Sequence, residues 1–74
     1  MEEKMQRAWK SILNLNYLPK TDDSFFELGG NSYLVIKVIV EMKDKYGILL
    51  DINDFYTYKT ISGILKYYKN KGEK

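Results

Sequence analysis

The sequence predicts a small all-α domain of four helices, and three observations support this fold class. Apolar residues recur at helical spacing in three segments, 2–15, 32–46 and from residue 60 onward. The apolar run at 48–50 is too short for a helix and has no partner strand, so a buried connector explains it better than a β-strand does. A chain of 74 residues, of which 45% are hydrophobic, is long enough for one domain with a single small core.

The first helix is predicted over residues 2–15. Glu2 and Glu3 suit its N-terminal end, where the helix dipole is positive. Its apolar side chains share one face, and charged residues occupy the other. The apolar positions are Met5, Ala8, Trp9, Ile12 and Leu13.

A long connection follows over residues 16–31, with Pro19 and the run Asp22-Asp23-Ser24 as turn signals. A loop of this length in so small a domain is usually functional or is held by its own side chains. We expect Phe25 and Leu28 to point into the core and so fix the loop. The apolar residues available to hold it are Tyr17, Leu18, Phe25, Phe26 and Leu28.

The connection ends in a turn that presents a hydroxyl group. Gly29 and Gly30 permit a sharp reversal of the chain, and Asn31 is common in turns. Ser32 is predicted to be the N-cap of the second helix, close to its positive dipole end, where a phosphate ester would be stabilised. An ordinary turn followed by a helix cap accounts for the same spacing.

The second helix is predicted over residues 32–46, with Gly47 at its C-terminal boundary. One apolar stripe is expected to face the core: Val35, Val38, Ile39, Met42 and Tyr46. A second stripe, formed by Tyr33, Ile36 and Val40, lies well over a quarter-turn away. Either the helix is buried on two sides, or this second stripe is a docking surface beside Ser32; we favour docking.

The remaining sequence predicts two further helices. Asp51 or Asn53 caps a short third helix around residues 54–58, with Phe55 as its core anchor and Tyr56 beside the docking surface. Thr60 caps the last helix. Its inward stripe comprises Ile61, Ile64, Leu65 and Tyr68. The final residues are expected to fray.

The composition excludes several classes of function. The sequence contains neither cysteine nor histidine, so disulfides, thiolate metal sites and a Ser-His nucleophile pair are all absent. An exposed serine with no histidine to activate it is more typical of a protein that another enzyme modifies than of an enzyme that uses the serine itself. A net charge of +2 is too small to argue for nucleic-acid binding. No apolar run has membrane-spanning length and no signal peptide is evident, so a cytoplasmic protein is expected.

One stretch resembles a known motif. The run Asp22-Asp23-Ser24-Phe25-Phe26-Glu27-Leu28-Gly29-Gly30-Asn31-Ser32 resembles the attachment motif of the carrier-protein family, most closely that of the peptidyl carrier domains of nonribosomal peptide synthetases. The resemblance continues through Tyr46-Gly47-Ile48 and Thr60-Ile61. Family members usually carry a proline at the position of Lys59. The resemblance implies a single carrier domain over residues 1–74, folded as a four-helix carrier-protein bundle with a long first loop and a short third helix.

The resemblance also implies a role for individual residues. Ser32 would receive a 4′-phosphopantetheine arm from coenzyme A, with Gly30 and Asn31 as its neighbours in the cofactor site. A phosphopantetheinyl transferase would attach the arm, and the domain, itself non-catalytic, would carry aminoacyl, peptidyl or acyl groups as thioesters. Its partners would then be adenylation, condensation or thioesterase domains. The residues matching the family's partner contacts are Tyr33, Ile36, Lys37, Val40 and, on the third helix, Tyr56.

Three other functions remain possible at this point. The domain resembles peptidyl carriers more than the acyl carriers of polyketide or fatty-acid pathways, because it has Gly-Gly-Asn-Ser and Lys37 where acyl carriers are acidic. An unmodified helical docking domain would use the same apolar stripe. A DNA-binding module would need a polar recognition helix, whereas the second helix here is apolar. We expect a monomer without metal, nucleic-acid or membrane partners.

Overall fold

The computed structural model of the chain describes residues 2–72, with side chains described as far as Lys69. Its helices are α1 (Glu2–Ile12), α2 (Ser32–Tyr46), α3 (Ile52–Tyr58) and α4 (Ile61–Gly72). Within the described residues no β-strand forms, and the only strand-like pairing is an isolated bridge between Ser24 and Thr60. The predicted all-α, four-helix architecture is confirmed. The expected fraying concerns the chain end, whose residues 73 and 74 lie outside the described residues.

Helix α1 packs against α2 and α4, and α3 packs against the same two helices. The core between them consists of hydrophobic residues from all four helices, from the long connection before α2 and from the short connector after it. Its largest fully buried side chains include Trp9, Phe25 and Phe55, which contact one another with ring centroids 4.8 to 6.2 Å apart. Edge-to-face and tilted arrangements of this kind stabilise an aromatic core beyond the area that they bury.

Helix α1 is shorter than predicted. The sequence predicts it over 2–15, but it ends at Ile12 because Asn14 adopts a left-handed conformation with φ 57°. The N–H of Leu15 donates to the carbonyl of Lys10 and the N–H of Asn14 donates to that of Ser11. This pair of hydrogen bonds is the usual way of closing a helix C-terminus, and asparagine tolerates the left-handed conformation that it requires.

The long connection over residues 13–31 is held by some of the expected residues and by one that was not expected. Phe25 is fully buried and Leu28 packs against the core as predicted, but Tyr17 and Leu18 are about half exposed, so their predicted anchoring role is wrong. Pro19 is buried instead, and its carbonyl accepts a hydrogen bond from the side-chain amide of Gln6 on α1. A proline buries apolar area with little loss of side-chain entropy, which suits it to an anchor in a loop.

The same connection is joined to the start of α4 by backbone hydrogen bonds. The N–H of Phe25 donates to the carbonyl of Lys59 over 2.7 Å, and the N–H of Ser62 donates to that of Thr21 over 2.9 Å. Lys59 itself has φ 64°, a left-handed conformation that proline cannot adopt. The proline that the carrier-protein family usually has at this position would therefore not fit the backbone conformation of Lys59.

The third and fourth helices begin close to where the sequence predicts. Helix α3 starts earlier than expected, at Ile52, because Asp51 is its N-cap and forms a reciprocal capping box with Asp54. The Thr60 hydroxyl accepts a hydrogen bond from the N–H of Gly63, which confirms Thr60 as the cap of α4. In the connector at 48–50, Ile48 and Leu50 are buried as expected, but Leu49 is exposed, so the prediction of a buried connector is wrong for that residue.

Candidate functional site

The candidate site is built on the turn that connects Phe25 to α2. Gly29 has φ 103°, in the range that other residues rarely adopt. Gly30 is required for a different reason, since a Cβ atom there would lie 2.3 Å from the ring of the buried Phe25. The N–H of Gly30 also donates to the carbonyl of Phe25 over 3.0 Å. The two glycines therefore hold the start of α2 directly against the aromatic core.

Asn31, and not Ser32, is the N-cap of α2. The backbone of Asn31 is extended, with φ −150°, and its side-chain oxygen accepts a hydrogen bond from the N–H of Leu34 over 3.0 Å. Ser32 is the first residue inside the helix, so the predicted capping role of Ser32 is wrong. The Ser32 hydroxyl therefore does not have to accept a hydrogen bond from the helix backbone, and it remains available for a reaction.

The Ser32 hydroxyl is exposed and meets one other hydroxyl. Its Oγ atom lies 2.5 Å from Oη of Tyr56 on α3. The Tyr56 ring, 44% exposed, stacks on Phe26 with centroids 5.1 Å apart and an angle of 21° between the planes. Three segments that are distant in sequence therefore converge at this point: the turn, the start of α2 and α3.

The outer face of α2, which we define as Tyr33, Ile36, Lys37 and Val40, continues from Ser32 along the helix. Tyr33 is 68% exposed, Ile36 51% and Val40 50%, so the second apolar stripe is not covered by any part of the chain that the structure describes. The Lys37 ammonium lies 5.5 Å from the centroid of the Tyr33 ring, in position for a cation–π contact. A shallow groove with charged edges extends this face toward Lys45.

The charge around Ser32 is compatible with a phosphate ester. The first turn of α2 carries no acidic residue, so no carboxylate of this helix end opposes a phosphate group. The hydroxyl is open to solvent and an incoming phosphoryl group does not have to displace a buried side chain. The residues present therefore fit a phosphate attached at Ser32. Over residues 2–72, no cluster of carboxylates capable of holding a metal ion occurs.

The structure brings together most of the residues that the sequence singles out. Gly30, Asn31 and Ser32 form the turn, and Tyr33, Ile36, Lys37 and Val40 share one face of α2. Tyr56 adjoins them, as expected, although its hydrogen bond to Ser32 was missed. The sequence offers no signal for that contact, because 24 residues separate the two hydroxyls and only the packing of α3 against α2 brings them together. The role of Phe26 as the platform under Tyr56 was missed for the same reason.

The chain is similar to known phosphopantetheine-binding proteins. A family model described as "Phosphopantetheine attachment site" matches residues 3–68. The chain is similar to a segment of the pyochelin synthetase PchE of Pseudomonas aeruginosa, with 27% identity over 66 residues that cover 89% of this chain and 4% of that protein. It is also similar to a segment of the PF 1022-synthetase of Rosellinia sp., with 40% identity over 68 residues that cover 88% of this chain and 2% of that protein.

A solved structure has the same fold. It is the solution structure of a non-covalent extended docking domain complex of the Pax NRPS, PaxA T1-CDD/PaxB NDD. The TM-score is 0.79 at 26% sequence identity, and the match covers 93% of this chain and 65% of that chain. Like the synthetase relatives, this structure extends beyond the segment that our chain matches.

Proposed function

Because the chain belongs to the family of phosphopantetheine attachment domains, we propose that it is a peptidyl carrier domain whose Ser32 holds the family's covalent 4′-phosphopantetheine arm. The observation that carries the proposal is the exposed Ser32 hydroxyl at the start of α2, left available because Asn31 provides the helix cap. The arm supplies a thiol, the acyl-carrying group that a sequence without cysteine lacks.

Ser32 is the acceptor in this proposal, and the domain catalyses no step itself. The chain has no histidine to remove the serine proton, and the group that meets the Ser32 hydroxyl is another hydroxyl, that of Tyr56. A separate phosphopantetheinyl transferase must therefore provide the base. The role of this chain is to keep the reactive end of the arm close to successive partner enzymes, where its effective concentration is high.

The outer face of α2 is the proposed contact surface for these partners. Its apolar side chains are exposed next to the attachment residue, and Lys37 adds a positive charge at the edge. A patch this small supports weak, reversible association, which a carrier that visits several enzymes needs. We propose that the transferase and the adenylation, condensation and thioesterase domains of a synthetase contact this face, with Tyr56 at its margin.

The relatives favour aminoacyl or peptidyl cargo over fatty acyl cargo. The two relatives named above are a pyochelin synthetase and the PF 1022-synthetase, and the solved structure is a part of the Pax NRPS, a nonribosomal peptide synthetase. We infer a role in nonribosomal peptide synthesis, as a monomer in the cytoplasm. Within residues 2–72, no helix has the length and apolar character needed to cross a bilayer.

Modification by a transferase tests the proposal. The protein is incubated with coenzyme A and a transferase of broad specificity, and intact mass is measured. We expect the wild type to gain the mass of one phosphopantetheinyl group and Ser32→Ala to gain none. Ser11→Ala is the matched control, because Ser11 is also exposed but lies on α1, and it should be modified like the wild type. Absence of a mass gain in folded wild-type protein would refute the carrier function.

A further inference from the structure

The exposed Tyr56 ring is connected to the core through a series of aromatic contacts. Its ring stacks on Phe26, the Phe26 ring meets the edge of Phe25 at a centroid distance of 5.6 Å, and Phe25 is fully buried. Phe55, the neighbour of Tyr56 on α3, is also fully buried and contacts Phe25 at 5.3 Å. The Tyr56 hydroxyl is therefore placed beside Ser32 by aromatic contacts that lead to the buried core.

The direction of the Ser32–Tyr56 hydrogen bond follows from the acidity of the two groups. A phenol is a stronger acid than an aliphatic alcohol, so Tyr56 is the better donor and the Ser32 oxygen the better acceptor. When Tyr56 donates, it uses one lone pair of Ser32 Oγ. The second lone pair remains for bond formation, and the serine proton remains accessible to an external base. The contact then fixes the orientation of the hydroxyl without blocking its reaction.

We propose that Tyr56 is a positioning residue for Ser32, whose hydroxyl donates to Ser32 Oγ before modification and to a phosphate oxygen afterwards. This inference rests on the proposed function. It assigns to the Tyr56 hydroxyl a role separate from that of the ring, which contributes to the margin of the partner surface. The apolar side chains of that surface, Ile36 and Val40, cannot take the hydroxyl's role, because neither has a donor group.

The chemistry of the attachment step explains the change of acceptor. Ser32 Oγ attacks the phosphorus of coenzyme A that bears the pantetheine. An O–P bond to serine forms as the P–O bond to the adenine nucleotide breaks, the nucleotide leaves with the electron pair, and the serine proton passes to the base of the transferase. Ser32 Oγ is then an ester oxygen and a poor acceptor. The phosphate now carries a negative charge on its other oxygens, and a hydrogen bond to an ionised acceptor is stronger than one to a neutral hydroxyl.

Tyr56→Phe isolates the hydroxyl, because it keeps the ring that stacks on Phe26. We expect complete modification at the end point, with a kcat for modification roughly two- to tenfold below that of the wild type, the effect of one hydrogen bond. KM should stay within about twofold, since the ring surface is retained. Tyr17→Phe is the matched control: it removes the hydroxyl of another exposed tyrosine, which lies in the long connection and outside the outer face of α2, and its kcat should equal that of the wild type.

A second measurement uses the wild-type protein and does not depend on any variant. In protein labelled with ¹³C-tyrosine, the Cζ resonance of Tyr56 should shift on modification more than the Cζ resonance of Tyr33, because only the Tyr56 hydroxyl changes its acceptor. A kcat for Tyr56→Phe at or above the wild-type value, or a Tyr56 resonance that moves no more than that of Tyr33, would overturn the proposal. Neither result would affect the proposed function, which fails only if wild-type protein is not modified at Ser32.

Discussion

Both faces of α2 carry aliphatic side chains, but the two faces lie in opposite environments. On the inner face Val35, Val38 and Met42 are fully buried, whereas on the outer face Ile36 and Val40 are half exposed. Both faces repeat at helical spacing, so the pattern alone does not distinguish core from surface. The inner face therefore contributes to the stability of the domain, whereas the outer face stays exposed, as the proposed contact with partners requires.

The sharpest test of this comparison places the same substitution on each face. Val38→Asp puts a charge into a site with no polar partner, and we expect a loss of more than about 4 kcal/mol in the free energy of unfolding, enough to unfold a small domain. Val40→Asp should change that free energy by less than about 0.5 kcal/mol. Urea unfolding followed by circular dichroism measures both. Equal losses for the two variants would mean that the outer face is part of the core.

Gly30→Ala tests the close contact between Gly30 and Phe25 just before the N-terminus of α2. The added methyl group would overlap the buried Phe25 ring, and neither that ring nor the adjacent carbonyl of Phe25 can move without disturbing the core. We expect a loss of about 1–3 kcal/mol in the free energy of unfolding, together with slower modification of Ser32, because the turn must shift. Ser11→Ala is the control for an exposed alanine substitution. A Gly30→Ala variant as stable as that control would show that the turn does not depend on this contact.

Asn31→Ala weakens the start of α2 without altering either face. Loss of the hydrogen bond from the Leu34 N–H should cost about 1 kcal/mol in the free energy of unfolding. Asn31→Asp retains an acceptor at the cap and should be close to the wild type in stability. Thermal unfolding of the two variants measures the difference. If both variants were equally destabilised, the amide group of Asn31 would matter for a reason other than capping.

Ile36→Asp should leave the stability of the domain nearly unchanged and still impair function. We expect the free energy of unfolding to change by less than about 0.5 kcal/mol, since Ile36 is half exposed. KM for the transferase should rise by roughly fivefold or more, as for the loss of a residue that contributes to binding. Leu49→Asp is the control, because Leu49 is 67% exposed in the connector after α2. An unchanged KM for Ile36→Asp would remove the outer face from the transferase contact.

The features of the fold that were predicted correctly are those that depend on residues close together in the sequence. The boundaries of α2, the burial of Val35 and Val38 and the cap at Thr60 follow from periodicity and side-chain chemistry within a few residues. The choice between Asn31 and Ser32 as the cap of α2 was wrong, since both residue types are good caps and only the backbone conformation distinguishes them.

The remaining features depend on tertiary packing. The exposure of Tyr17 and Leu18 reflects the burial of Pro19 in their place, which no periodic pattern in an irregular loop reveals. The contact between Ser32 and Tyr56 depends on how α3 packs against α2. Contacts between residues far apart in sequence are set by the complete core, so reasoning from short segments does not reach them.

The hydrogen bonds that join the long connection to Lys59 and Ser62 have a practical consequence for shortened versions of this domain. The Gly-Gly-Asn-Ser segment lies in the first half of the domain. The loop before it is hydrogen-bonded to residues at the start of α4. A fragment that ends after α3 would keep every residue of the motif but would lose these hydrogen bonds. A shortened version of this domain should therefore retain α4, even though Ser32 lies far from that helix in the sequence.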